Sequence, residues 1–333
     1  MGAFLLSGIL LEVNGQQQSR GVTMASIFPH QMFQTDFLTI LPEVRRQEQL
    51  DPTYSGETDI GTEIFFSFGE QILPLIKSNN VVFNAAKHFA TDYAEEYFIM
   101  LRRTRSVEDV QTQLTSLRVE VTSFLKAAMM KGIAPPSIQI VKPSDFVDVI
   151  ELEKLSPNMQ KQAAKLHDEA VHLERFYVDV ASQATESLYE KGLPRIFYVI
   201  KKALKVRMNA RPTAADNKLL APHQCINWCR QQLPAQHILY QVLVDNRLFY
   251  KVVRNVDNHE KGPKWLPESN EVFLPDRDNP MTVHINEMSQ KYRYLMYLCE
   301  IGVRGILTVF TDRERGHVSN KVKDAYLRVY DNP

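Results

Sequence analysis

Cysteine is scarce in this chain of 333 residues, which contains only Cys225, Cys229 and Cys299. A low and odd number argues against a disulfide framework and for a reducing compartment. Long apolar runs are also lacking. Residues 3–13, AFLLSGILLEV, fall well short of the ~20 apolar residues that span a bilayer, and no basic residue precedes them as a secretory signal requires. We therefore expect no transmembrane segment, no secretion, and a cytoplasmic or nuclear location.

An excess of either charge is absent as well, because 39 basic side chains balance 39 acidic ones. The whole-chain field therefore steers no particular partner. The balance conceals an asymmetry, since residues 1–150 hold 12 basic and 17 acidic side chains, whereas residues 151–333 hold 27 and 22. The two parts of the chain are expected to face different partners or each other.

Complete catalytic motifs are missing. The chain contains no GxSxG, GxxxxGK[ST], GxGxxG or HExxH sequence, which are the short signatures of hydrolases, nucleotide-binding proteins and zinc proteases. The sequence therefore favours a non-enzymatic protein without a cofactor. A catalytic site assembled from distant residues remains an alternative, because such sites leave no local signature.

The helical pattern dominates residues 24–215, which we interpret as a helical domain that follows an extension at residues 1–23. Helices are predicted at residues 30–50, 61–77 and 80–103. Two longer ones follow, the first from a capping-box-like start at Ser106 to Gly132, and the second from Ser156-Pro157 to Gly192. A short strand at residues 137–141 is predicted between them.

Heptad spacing marks both long helices. Apolar side chains recur three and four residues apart over residues 107–128 and 159–184, which predicts one apolar stripe on each helix. The two stripes either pack against each other as core helices of one bundle or form an oligomerisation seam between protomers. Their principal members are Leu114, Leu117, Val121 and Phe124 on the first helix and Leu166, Leu173, Tyr177 and Val180 on the second.

Residues 216–333 have shorter apolar runs between turn residues, which predicts a smaller α+β domain. Residues 238–244 and 248–253 are expected to form a hairpin around Asp245-Asn246. Strands are predicted at residues 281–285 and 305–310, and helices at 287–301 and 319–330. The fold class is therefore mainly α, with an N-terminal helical bundle and a small α+β C-terminal domain.

A basic amphipathic helix is the principal functional candidate. Residues 192–212 contain no acidic residue, and Arg195, Lys201, Lys202 and Lys205 share one side of the predicted helix. Such a face could bind RNA phosphates with a tyrosine available for base stacking. It could also bind an acidic protein or an acidic membrane surface, or be the solvated side of a core helix. The predicted binding residues are Arg195, Tyr198, Lys201, Lys202, Lys205, Arg207 and Arg211.

A zinc site is a weaker candidate. His223, Cys225, Cys229 and His237 supply two imidazoles and two thiols, which is a tetrahedral zinc donor set. The spacing lacks the C-x2-C knuckle of structural zinc sites, and free cysteine is commonly buried as a small hydrophobic residue. Buried core cysteines are therefore the favoured interpretation, and we predict no metal.

These observations favour a structural or scaffolding subunit that associates with itself or with protein partners through its long helices. An RNA-binding protein that uses the basic helix at residues 193–211 is the alternative, and an enzyme whose site has no local signature is a second. A homo-oligomer is the expected form, with RNA as a further partner under the first alternative.

Overall fold

The computed structural model describes residues 64, 67–135, 140, 142–258 and 262–307. Within them the protein is mainly α-helical with one small antiparallel sheet, which confirms the predicted fold class. The predicted extension at 1–23 and the predicted helices at 30–50 and 319–330 lie outside the described residues, as does most of the predicted strand at 137–141.

The helices, in chain order, are α1 (Leu73–Ser78), α2 (Asn80–Asp92), α3 (Ala94–Met130), α4 (Pro157–Ser187), α5 (Leu193–Arg207), α6 (Pro222–Gln232), α7 (Ile238–Leu243), α8 (Arg247–Asn258) and α9 (Ile285–Leu307). Single π-helical turns at Phe68–Ile72 and Leu188–Gly192 lead into α1 and α5. Short 3-10 helices occupy Pro143–Val149, Leu152–Lys154 and Ala214–Asn217.

The pair formed by α3 and α4 is the longest feature of the fold, and its helices are antiparallel. The Gln111 amide lies 3.4 Å from the Tyr177 hydroxyl near one end. At the other end, the Lys131 amine lies 3.2 Å from the Met159 sulfur. Residue numbers therefore rise along one helix as they fall along the other. The buried face of each helix packs against its neighbour in the same chain, as regular heptad spacing allows.

Three predicted helix boundaries are wrong. The helix predicted at residues 80–103 ends at Asp92, and residues 94–103 belong to α3. Helix α3 begins at Ala94 and runs through Ser106 without interruption, so the capping-box pattern there does not start a helix. Gly192 does not stop α4, because it adopts helical angles in the π turn that joins α4 to α5. Residues 157–207 are therefore helical without a break. At Ser106 and Gly192, the side-chain burial gained by continuing the helix outweighs the local preference of the residue for a helix end.

The predicted hairpin around Asp245-Asn246 is also wrong, because both runs are helices, α7 and α8. Their buried side chains follow helical spacing, as Leu239, Val242 and Leu243 show. The Asn246 side-chain amide donates to the Gln241 and Val242 carbonyls and closes the end of α7. A short, continuous apolar run does not distinguish a strand from a buried helix.

The sheet has the strand order β1 (Lys264–Leu266), β2 (Glu271–Leu274) and β3 (Met281–His284), all antiparallel. Strand β3 confirms the strand predicted at residues 281–285 except at Ile285, which begins α9, and α9 confirms the helix predicted at 287–301. The strand predicted at 305–310 is wrong for its first three residues, which belong to α9; the remainder lies outside the described residues. Val272 pairs with Val283, and both are buried.

One cluster of buried side chains extends through the described residues, from Ile64 to Ile306. Helix α9 packs against α2, α4 and α5, so side chains from both sides of residue 215 share this core. The division into a 24–215 and a 216–333 domain stays a prediction. No described helix combines the length and apolar composition needed to cross a bilayer.

Candidate interaction surfaces and buried ionic clusters

The basic helix predicted at residues 193–211 exists as α5, but its central lysines are not a solvent-exposed face. Lys201 and Lys202 are 7% and 4% exposed, and the side chain of Lys205 is 20% exposed. The expectation that these three amines point into solvent is therefore wrong. Lysine is rarely buried without a partner, and each of the three has one inside the protein.

Asp216 is the partner of two of them. Its Oδ1 lies 2.7 Å from the Lys201 amine, and its Oδ2 accepts from the Lys205 amine at 2.7 Å. The backbone N–H and the hydroxyl of Thr213 also donate to Oδ2, at 2.6 and 2.9 Å. We call Lys201, Lys205, Thr213 and Asp216 the Asp216 cluster. It fastens the 3-10 helix Ala214–Asn217 to α5.

The pKa of Asp216 reflects this environment. Burial alone would raise it, but hydrogen bonds from Lys201 and Lys205, together with those from Thr213, outweigh burial and hold the pKa well below its usual range. The carboxylate is therefore ionised across the ordinary pH range, and its charge offsets part of the charge of the two lysines.

The third lysine has neutral partners. The Lys202 amine donates to the Tyr198 hydroxyl at 2.9 Å and to the Asn217 side-chain oxygen at 3.0 Å. It also lies 4.2 Å from the centroid of the Tyr198 ring. The Lys202 amine therefore covers one face of the Tyr198 ring, which was predicted to stack on a base.

Arg195 is likewise engaged within the protein. Its guanidinium pairs with Glu96 and donates to the Lys191 carbonyl at 2.6 Å. It also lies 5.3 Å from the centroid of the Tyr93 ring. Of the predicted binding residues, only Arg207 and Arg211 have exposed side chains. Lys218, which the sequence prediction did not include, is exposed as well.

The two apolar stripes are buried within one chain. Their exposed fractions do not exceed 9%. The stripe residues are Leu114, Leu117, Val121 and Phe124 on α3 and Leu166, Leu173, Tyr177 and Val180 on α4. Of the two interpretations of the stripes, this burial favours core packing, because a seam between protomers needs side chains that are still uncovered. Any association through these helices must therefore use their other faces.

The four residues of the possible zinc site do not come together. Among the described residues, no three His, Cys, Asp or Glu side chains lie close enough to hold a metal ion. The His237 ring nitrogen instead accepts from the Leu239 N–H at 3.2 Å and caps α7. His223 is exposed, whereas Cys225 and Cys229 are fully buried on α6.

Burial also makes these thiols unreactive. It raises the pKa of Cys225 to about 12 and raises that of Cys229 as well, so both thiols stay protonated at neutral pH, where the reactive thiolate is absent.

We expect Ellman's reagent to leave the native protein unlabelled over minutes and to label all three cysteines in denaturant. An Ala127→Cys variant, with an exposed site on α3, provides the positive control. Rapid labelling of the native wild-type chain would contradict the burial.

A second buried ionic cluster was not anticipated from the sequence. The Glu174 carboxylate on α4 is fully buried and accepts from the Ser144 N–H at 3.0 Å and the Ser144 hydroxyl at 2.8 Å. The Lys142 amine lies 4.0 Å from Glu174 and 3.3 Å from Asp145. We call Lys142, Ser144, Asp145 and Glu174 the Glu174 cluster. The one hint in the sequence was Leu173, the neighbour of Glu174, which belongs to the apolar stripe and was therefore predicted to be buried.

The Glu174 cluster joins three parts of the fold. Lys142 donates to the Pro267 carbonyl at 2.7 Å and lies 5.4 Å from the Trp265 ring, which connects the segment before α4 to the sheet. Burial raises the pKa of Glu174, and the hydrogen bonds from Ser144 and the nearby Lys142 oppose that rise. The geometry is that of a structural connection, since Lys142, Ser144 and Glu174 each have a partner inside the protein.

An open groove lies beside the N-terminal half of α4. It has a volume of about 490 Å³. Val147, Leu152, Ala163 and Ala164 supply its apolar lining, and Leu152 is 42% exposed. Its polar lining consists of Glu153, Gln160, His167 and Asp168. The groove is concave and mainly apolar, and its size is within the range of about 300–1,000 Å³ that is usual for binding clefts.

Comparison of the chain with protein-family models, with curated proteins and with solved structures finds no significant match.

Proposed function

We propose that the protein is a non-enzymatic structural subunit that assembles with further copies of itself through its long helices. The observation that supports this most directly is the open apolar groove beside α4. The buried stripes make the α3–α4 pair a stiff support, and the groove is the apolar concavity on its outside. Exposed apolar concavities on rigid elements commonly mark protein contacts.

The use of the ionisable groups supports a non-enzymatic role. Lys142 and Glu174 in one cluster, and Lys201, Lys205 and Asp216 in the other, bond to protein groups and hold loops against helices. A catalytic acid, base or nucleophile has to face a space that substrate can enter. These groups face each other instead.

A second copy is the proposed occupant of the groove because of the charge distribution. With 39 charges of each sign, two copies do not repel each other strongly, and a net charge near zero favours association. The groove lining includes Glu153 and Asp168, which suits a basic surface on the second copy.

Light scattering on a size-exclusion column tests this proposal. We expect the wild-type chain to elute with a mass that is a multiple of the monomer mass. Ala164→Arg places a long charged side chain in the groove without disturbing the core, because Ala164 is exposed, and we expect it to lower the mass to that of the monomer. Gln162→Arg is the matched control, since Gln162 is exposed on the same helix and does not line the groove.

A wild-type chain that is monomeric over a wide concentration range would overturn self-assembly. The 260/280 nm absorbance ratio of the same peak separates the RNA-binding alternative, because co-purified RNA raises it. The appropriate variant for that alternative is Arg207→Glu with Arg211→Glu, since both side chains are exposed. Reversing Lys201 and Lys205 would instead break the Asp216 cluster and confuse binding with unfolding.

A further inference from the structure

A basic surface lies at the C-terminal end of α5. It consists of the exposed cations Arg207, Arg211 and Lys218 together with the exposed apolar side chains Met208 and Leu219. We call these five residues the α5-end surface. Within the described part of the chain, no carboxylate pairs with its three cations.

The fold holds the α5-end surface in a fixed shape. Helix α5 ends where Asn209 adopts a positive φ of 55° and the Ala210 N–H bonds to the Lys205 carbonyl at 2.8 Å. The Asp216 cluster then holds the 3-10 helix Ala214–Asn217 against α5. Lys218 and Leu219 come directly after this helix, whose last residue, Asn217, bonds to Lys202. The surface therefore combines fixed positive charge with apolar contact area, which suits an acidic segment that also carries apolar side chains.

The chain itself enters the described fold close to this surface. Ile64 is 2% exposed and lines a small cavity together with Leu204 and His237. Leu204 is one turn before Met208, and the Met208 N–H bonds to the Leu204 carbonyl at 2.9 Å. Ile64, to which the preceding segment is covalently joined, therefore lies in the core beside the last turn of α5, the turn that leads into the α5-end surface.

Those preceding residues have the complementary composition. Residues 48–63, EQLDPTYSGETDIGTE, contain no basic side chain. Their acidic residues are Glu48, Asp51, Glu57, Asp59 and Glu63, and their larger apolar residues are Leu50, Tyr54 and Ile60. A segment of this length can extend for up to about 50 Å, which is ample to cover a surface of five residues near its point of attachment.

We propose that residues 48–63 dock on the α5-end surface of their own chain. Their carboxylates neutralise Arg207, Arg211 and Lys218, and their apolar side chains cover Met208 and Leu219. Docking within one chain has an advantage over a separate acidic partner, because the covalent connection at Ile64 keeps the segment at a high effective concentration beside the surface. The docked segment also denies these cations to other anionic partners.

Zero-length carbodiimide cross-linking of the full-length chain tests the proposal, because it joins a lysine amine to a carboxylate that touches it. We expect mass spectrometry to find Lys218 joined to residues 48–63. Arg207→Glu with Arg211→Glu retains the reactive amine of Lys218 and should lower the yield at least about tenfold. Lys161→Glu with Lys165→Glu, two exposed charge reversals on α4, is the matched control and should leave the yield unchanged.

Two further measurements complete the experiment. A mixture of ¹⁴N- and ¹⁵N-labelled chains should give cross-links within one isotope only, and mixed-isotope products would show that a second copy supplies the segment and would overturn docking in the same chain. Raising the salt from about 0.02 M to about 1 M should reduce the yield severalfold, because exposed charges are then screened. Absence of the Lys218 cross-link at low salt in the folded wild-type chain would also overturn the proposal. None of these outcomes depends on the groove beside α4.

Discussion

Replacing Asp216 with alanine is expected to lower the free energy of unfolding by about 4 kcal/mol. The substitution removes the only carboxylate that the Lys201 and Lys205 amines contact among the described residues. Two largely buried ammonium groups would then lack a counter-charge, and the Thr213 N–H would lose its acceptor. A loss of this size is a large part of the 5–15 kcal/mol that stabilises a typical domain.

Urea unfolding followed by circular dichroism measures this loss. Asp109→Ala is the control, because Asp109 is exposed on α3 and should change the stability by less than about 0.5 kcal/mol. The pH dependence has a definite sign. Because the pKa of Asp216 is lower in the folded than in the unfolded chain, its contribution is complete above about pH 4 and is lost as the pH falls further. The difference between wild type and Asp216→Asn should therefore shrink in acid. An Asp216→Ala variant as stable as wild type at pH 7 would show that the cluster does not form.

Replacing Glu174 with alanine is the second change with a large expected effect, about 3 kcal/mol. It leaves the Ser144 N–H and hydroxyl without their acceptor and removes a carboxylate from the vicinity of Lys142. Each of these groups is buried, so water does not readily replace the lost partner. Glu169→Ala is the control, since Glu169 is exposed on the same helix.

The pH dependence of Glu174 has the opposite sign. Burial raises its pKa, so the folded chain holds the proton more tightly than the unfolded chain. The stability that protonation gives is present below the unfolded pKa of about 4.3 and is lost as the pH rises through the folded value. Glu174→Gln, which cannot ionise, should therefore gain stability relative to wild type as the pH rises from about 4, in contrast to Asp216→Asn. Parallel pH profiles for the two variants would contradict the different environments of the two carboxylates.

The existence of the long helices could be predicted from the sequence because heptad spacing is a local property that directly reflects burial. Val121 and Tyr177 are fully buried as the stripes require. The ends of the helices could not be predicted in the same way. Ser106 and Gly192 carry the chemistry of caps, but neither ends a helix, because packing against neighbouring elements makes continued helix more favourable than a stop.

The fate of the basic helix depended on information that no local pattern contains. The amphipathic arrangement of α5 was visible in the sequence, but the position of Asp216, which lies beyond the end of that helix, was not. The chain folds back and inserts this carboxylate between Lys201 and Lys205. The Glu174 cluster could not be predicted for the same reason, because its central hydrogen bonds join residues that are 30 positions apart in the sequence. Charge patterns predict exposure only when no distant counter-charge folds onto them.

The small sheet also has a consequence for how copies of the protein can meet. Its outer strands, β1 and β3, are only three and four residues long. Pro263 and Pro267 border β1, and Pro280 precedes β3. Proline offers no N–H to an incoming strand, and short edges provide few ladder positions. Growth of fibres by strand addition is therefore disfavoured at this sheet.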